Sequence, residues 1–421
     1  MNKRNFLKQL GLFSLTTPVL FAQLEKTVAT YAHYSPEELA KNEDFWRKIR
    51  GDYRLKLDYI NLENGYYCFL PQEVLENYIH HVRRINYEGS YYLRTVQFEN
   101  KRKVKERLAA IAQCSPEELI VTRNTTESLD MIIGGFPWQK GDEAVMAVQD
   151  YGAMLDMFRQ QERRHGIVNK LVSVPNHPKS DSELVELYAN AITPKTKLLM
   201  VCHLINITGQ ILPIRKIVDM AHEKGVQVMV DGAHAFSQLK FSVPDLGCDY
   251  YGASLHKWLS APLGSGILYI KKEHISSIEP LLAEGSWAAK DDIARLNHTG
   301  THPVATDLGI IDAIGYQERL GLEKKEARLR YLQHYWTSRV RDLPNVVVHT
   351  PADQHRHCAI GNVGVIGMKP RDLAKTLLDK YGIWTVAISR ENVQGCRITP
   401  NVYTTTRELD VLVKALGELG A

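Results

Sequence analysis

Between about residue 118 and residue 270, short continuously apolar runs alternate with stretches whose apolar positions recur every three to four residues. The runs are 118–122 (ELIVT), 144–148 (AVMAV), 197–201 (KLLMV), 226–230 (VQVMV) and 266–270 (GILYI). They are too short for helices and lack the in–out alternation of a strand with one wet face. They therefore predict strands of a mostly parallel sheet covered on both faces by helices, such as the one spelled IRKIVDMAH at 214–222. In such a layer, ligand-binding residues are expected just beyond the strand C-termini. A long helical pattern from about 307 to 340 leads into short strands at 360–366, 384–388 and 397–398. Helical patterns at 372–380 and 408–416 accompany them. The expected fold class is α/β, a large domain with a helix-covered, mostly parallel sheet plus a smaller α+β C-terminal domain. The region 35–115 reads as largely helical, and part of it is expected to pack against that terminal domain.

The first residues read as an address. Lys3, Arg4 and Lys8 precede an apolar run from Leu10 to about Ala22, too short to span a bilayer but suited to an export signal. The order Lys3-Arg4-Asn5-Phe6-Leu7-Lys8 resembles a twin-arginine signal in a Lys-Arg form, with a general secretory signal as the other route. The expectation is a periplasmic or otherwise exported protein, cytoplasmic if the signal does not function, with no stable membrane association once it is removed. With 52 Lys plus Arg against 48 Asp plus Glu, the chain carries +4, and +1 without those three basic residues. So little charge, with no basic patch, gives no reason to expect a nucleic-acid partner. The six cysteines form no CxxC pair, and the sixteen histidines form no metal-ligand spacing, so neither a disulfide scaffold nor a metal is expected.

Three features carry chemistry. Lys257 lies in SLHKW, flanked by apolar and aromatic residues and followed by the Pro/Gly-containing loop 260–266. Desolvation would release its free amine for Schiff-base formation. Asp231 ends the apolar run 226–230, where it can be an N-cap or the ion-pair partner of a protonated pyridine nitrogen. Asn124-Thr125-Thr126-Glu127 also follows a strand and opens a helix, where hydroxyls and free amides can cradle a phosphate.

In order and spacing, 122–127 (TRNTTE), 203–209 (HLINITG), 230–234 (VDGAH) and 254–258 (SLHKW) resemble the class-V aminotransferases among the fold type I pyridoxal-phosphate enzymes. The likeness runs from about 61 to 405. The 61–65 (NLENG) and 123–127 segments resemble the isopenicillin N epimerase-like branch most closely. The resemblance implies pyridoxal 5'-phosphate as cofactor, with Lys257 as its Schiff-base lysine and Asp231 as the pyridine-nitrogen partner. It places His234 and Asn206 near the phenolic oxygen, Tyr151 against the ring, and Thr125, Thr126, Ser254 and His256 at the phosphate. Arg397 resembles the arginine that clamps a substrate α-carboxylate, and Thr301 the threonine that reaches the neighbouring subunit's phosphate, which implies a homodimer. The implied division is 1–22 export signal, 23–60 N-terminal segment, 61–305 large cofactor-binding domain with early helices lent to the small one, and 306–421 linking helix and small domain. Desulfurase activity is disfavoured, because 381–387 lacks the mobile cysteine of that chemistry. The expected activity is a class-V aminotransferase acting on a small amino acid or amine. The alternatives are an isopenicillin N epimerase-like epimerase or a pyridoxal-phosphate-dependent lyase and, less favoured, a non-enzymatic binding protein.

Overall fold

The computed structural model describes residues 21–283, 287–390 and 392–421. The expected export signal thus lies, but for Phe21 and Ala22, outside the described residues. Among those residues no helix is long and apolar enough to cross a membrane.

Thirteen strands build three sheets among the described residues. The central sheet takes β2 (Leu119–Thr122), β3 (Glu143–Ala147), β4 (Val168–Val172), β5 (Thr196–Cys202), β6 (Gln227–Asp231), β7 (Tyr250–Ser254) and β8 (Gly266–Ile270) in the order β2-β8-β7-β6-β5-β3-β4. Only β8 runs antiparallel to its neighbours. The continuous apolar runs have the predicted cause. Leu199, Val201, Val228 and Val230 enter one core cluster, while Leu198, Met200 and Met229 enter another on the opposite face. Two strands escaped the pattern. β4, spelled VNKLV, is a half-exposed edge strand, and β7 begins with two tyrosines, both fully buried, outside the aliphatic runs.

The second sheet is antiparallel, in the order β12 (Val386–Arg390), β13 (Val393–Ile398), β10 (Gly361–Val365), β9 (Val346–Val348). The helices Pro370–Tyr381 and Thr406–Gly420 pack on it, and together they make the smaller α+β layer with a core of its own. The long helix expected over 307–340 is two helices, Val304–Leu320 and Leu322–Val340, because Gly321 sits at φ +88°, outside helical geometry. β1 (Ile60–Asn61) pairs in parallel with β11 (Ile383–Trp384), which carries the early chain onto the terminal domain. This pairing fixes the loop after β1 over the end of the central sheet. Thr399 N donates to Leu62 O at 2.8 Å, and Asn64 Nδ2 donates to Thr399 O at 2.7 Å.

Candidate active site

The C-terminal ends of β2, β3, β5, β6 and β7 surround a cavity of about 470 Å³, closed from the small-domain side by Arg397 of β13 and by the Gly65–Tyr66 loop. Parallel strands align their C-terminal ends, so residues separated by 130 positions in the chain meet there.

At one end lies an anion cradle. Asn124 caps the helix Thr125–Gly135, its Oδ1 accepting from Glu127 N at 2.9 Å. The Thr125 amide donates to Ser254 Oγ at 2.9 Å, and the two hydroxyls are 2.7 Å apart. The first-turn amide at 126 has no carbonyl one turn back and is left to serve, with the hydroxyls of Thr125, Thr126 and Ser254, the cavity these residues line. Close approach of β8 makes the cradle compact, since a Cβ at Gly266 would stand 2.7 Å from Asn124 Cα.

At the other end Asp231 is buried, its Oδ1 accepting from Ala233 N at 2.9 Å. Burial pushes its carboxyl above the usual range, opposed by that amide and by the Lys257 cation. Cys202, its register neighbour on β5, also lines the cavity. Burial, reinforced by the Asp231 and Asp150 carboxylates, drives the Cys202 thiol far above its ordinary value.

Lys257 lies between these ends. Burial lowers its ammonium to about 8; Asp231 opposes that shift and the Arg397 cation adds to it. Nζ is 2.9 Å from His234 Nε2, while Trp258 Nε1–H donates to His234 Nδ1 at 3.3 Å. Burial, with Lys257, Arg397 and His256 nearby, keeps His234 neutral. Its Nδ1 accepts from Trp258, so its proton resides on Nε2 and is donated to the Lys257 lone pair. The chain Trp258–His234–Lys257 therefore fits a free amine.

Arg397 is held by Glu63, Nη2 to Oε1 at 2.6 Å and Nε to Oε2 at 3.3 Å, and donates through Nη1 to Asn206 O at 3.3 Å. Of the residues singled out in the sequence, Thr125, Thr126, Tyr151, Asn206, Asp231, His234, Ser254, His256, Lys257 and Arg397 all line this cavity. Thr301 does not. It is exposed in a separate recess with Gln97, Lys101 and His298. Sequence reading missed Glu63, Gly65, Cys202 and the role of Trp258 as a donor. Glu63 and Gly65 stood inside a recognisable motif, but their partner Arg397 lies more than 330 residues away.

The cavity fits pyridoxal phosphate on its own chemistry. It offers an anion cradle, a buried carboxylate, an amine between them, and two buried polar atoms, Asn206 Oδ1 and His256 Nδ1, without protein partners. The sequence profile of the class-V aminotransferases ("Aminotransferase class-V") matches residues 68–412. The chain belongs to this family.

It is thus a fold type I enzyme that uses pyridoxal phosphate. It is 26% identical over 395 residues to the isopenicillin N epimerase of Streptomyces clavuligerus, covering 89% of this chain and 98% of that one. It is equally 26% identical over 373 residues to a probable cysteine desulfurase of Halalkalibacterium halodurans, covering 82% and 89%. Among solved structures, the cystine C–S lyase in complex with its product cysteine persulfide superposes with a TM-score of 0.77 at 22% identity, covering 86% of this chain and 98% of that chain. These findings overturn the expected placement nearest the isopenicillin N epimerase-like branch. Cysteine desulfurases match as well in sequence and recur among the similar solved structures, so the likeness at 61–65 and 123–127 does not place the chain in one branch.

Proposed function

We propose that the protein is a pyridoxal-phosphate-dependent lyase that removes the Cα proton and a Cβ substituent, sulfur above all, from a small amino acid. Lys257 would hold the cofactor, Asp231 its pyridine nitrogen, Thr125, Thr126, Ser254 and His256 its phosphate, Asn206 and His234 its phenolic oxygen, and Tyr151 its ring. When bound, pyridoxal phosphate supplies an electron sink for a carbanion at Cα. Arg397 orients the substrate carboxylate, and Lys257 Nζ takes the Cα proton. Electrons from the C–H bond form the Cα–Cβ double bond as the Cβ–S bond breaks and sulfur leaves with its electron pair. The freed 2-aminoacrylate hydrolyses to pyruvate and ammonium.

One observation favours elimination over persulfide transfer to the protein. Burial pushes the Cys68, Cys114, Cys358 and Cys396 thiols up to about 12, and those of Cys202 and Cys248 higher still. A thiol attacks as its thiolate, and none of these is poised to form one. C–S chemistry in the relatives supports the substrate class.

A homodimer forms part of the same proposal. Tyr91, Phe98 and Trp287 are 68%, 62% and 70% exposed. Phe98 and Trp287 border a recess that shares Gly300 and His302 with the Thr301 recess, a surface suited to a second copy.

The test is product analysis on cofactor-loaded protein given S-methyl-L-cysteine, L-cysteine and L-alanine. Repeated turnover of S-methyl-L-cysteine to equimolar pyruvate and ammonium is expected. L-alanine formed from L-cysteine would indicate desulfuration instead. Pyruvate from L-alanine without ammonium would indicate transamination, and either result replaces this reading.

A further inference from the structure

The Arg397 guanidinium is already engaged before any substrate arrives. Glu63 takes the Nε/Nη2 edge in a two-point ion pair, with both side chains 9% exposed. The arrangement is built in. Glu63 Oε1 also accepts from Tyr66 N at 2.9 Å, which ties the carboxylate to its own loop. That loop lies on the guanidinium so closely that a Cβ at Gly65 would stand 2.6 Å from Arg397 Cζ. Arg397 and Gly65 line the cavity and Glu63 does not, so the carboxylate holds the arginine from behind. A guanidinium has five N–H donors. Two serve Glu63 and one serves Asn206 O, which leaves two of the five.

We infer that Glu63 sets substrate specificity: as a fixed counter-charge behind Arg397 it weakens the hold on an α-carboxylate, so the pocket also admits primary amines that have none. The inference rests on the role given to Arg397 above. Its physical basis is that a second carboxylate meets a cation already neutralised, and is repelled by the first across a few ångströms of low-dielectric protein. An ammonium substrate without a carboxylate escapes that repulsion and meets no uncompensated positive charge.

Glu63→Gln tests this, because glutamine keeps the shape and can still accept from Tyr66 N or Arg397 while losing the charge. Cofactor-loaded protein is titrated with L-alanine and with ethylamine, the same skeleton without its carboxylate, and dissociation constants are read from the cofactor's absorption. The variant should raise the preference for L-alanine over ethylamine about tenfold or more, by tightening the first and weakening the second. Glu63→Asp, which restores the charge, should stay within about threefold of the parent. An independent readout is the pH at which Lys257 reacts as a free amine in cofactor-free protein. It should move down in Glu63→Gln, because loss of the carboxylate leaves the Arg397 cation beside Lys257 uncompensated, and should stay in place in Glu63→Asp.

A preference unchanged within twofold, or weaker binding of both ligands alike, overturns the inference and leaves Glu63 a mere support of its loop. An L-alanine affinity indifferent to Arg397→Gln overturns it with the Arg397 assignment. If the preference shifts as expected but no S-substituted cysteine yields pyruvate, the lyase reading fails and the role of Glu63 stands.

Discussion

The lysine in the cavity offers the sharpest test of the site. An ordinary lysine with pKa 10.4 is about one part in a thousand free amine near pH 7.5, whereas one lowered to about 8 is about one-quarter free, a gain of about two hundredfold. The assay is labelling of cofactor-free protein by trinitrobenzenesulfonate, which attacks only free amines, with the labelled residue identified by peptide mapping. Lys257 should label half-maximally near pH 8. The sign follows from the neighbours. Asp231 supports the ammonium form, so Asp231→Asn should move the midpoint down. Arg397 opposes it, so Arg397→Gln should move the midpoint up. Lys325 is an internal control. Burial lowers it to about 8 as well, yet its Nζ is held by Trp258 O and Gln317 Oε1 away from the cavity, and it should label far more slowly. A Lys257 midpoint near 10, or shifts of the same sign in both variants, would refute the reasoning.

Two further outcomes follow from burial. Treatment with iodoacetamide near pH 7.5, or the substitutions Cys358→Ser and Cys396→Ser, should leave pyruvate formation within about twofold, because thiols at about 12 are thiolate to only about one part in ten thousand or less; loss of turnover with either would reinstate a cysteine mechanism. Arg328 is fully buried, donating to Ala40 O at 2.9 Å, Glu43 Oε1 at 2.5 Å and Thr404 O at 3.1 Å. Arg328→Ala should loosen the helices Pro36–Ala40 and Glu43–Arg50 by about 3 kcal/mol, since Glu43 can partly rehydrate. Protease cleavage within 21–60 should quicken ahead of cleavage elsewhere, and unchanged resistance would count against the clamp.

Proton inventory ties these experiments to the proposed reaction. Trp258 donates to His234 Nδ1, so neutral His234 carries its proton on Nε2 and favours the free-amine form of Lys257, the base of the proposed reaction, alongside burial. Arg397 adds its cation to that effect, and Glu63 tempers it. In the proposed reaction, substrate grip and base strength would be coupled through this one guanidinium.

What depends on local pattern was legible in the residues alone. The strand runs could be read because burial on both faces leaves no polar alternation, and the cradle and Lys257 because each follows a strand within a short, chemically specific segment. β4 and β7 were hidden, since an edge strand tolerates Asn169 and Lys170 while Tyr250 and Tyr251 carry no period that distinguishes strand from helix. The break at Gly321 was hidden inside an unbroken apolar rhythm. That Glu63 meets Arg397 and that Trp258 donates to His234 emerges from the folded chain alone. The first pairing spans 334 positions and follows from β1 joining β11. Such contacts are fixed by strand order and packing, which bring charges together irrespective of their distance along the chain.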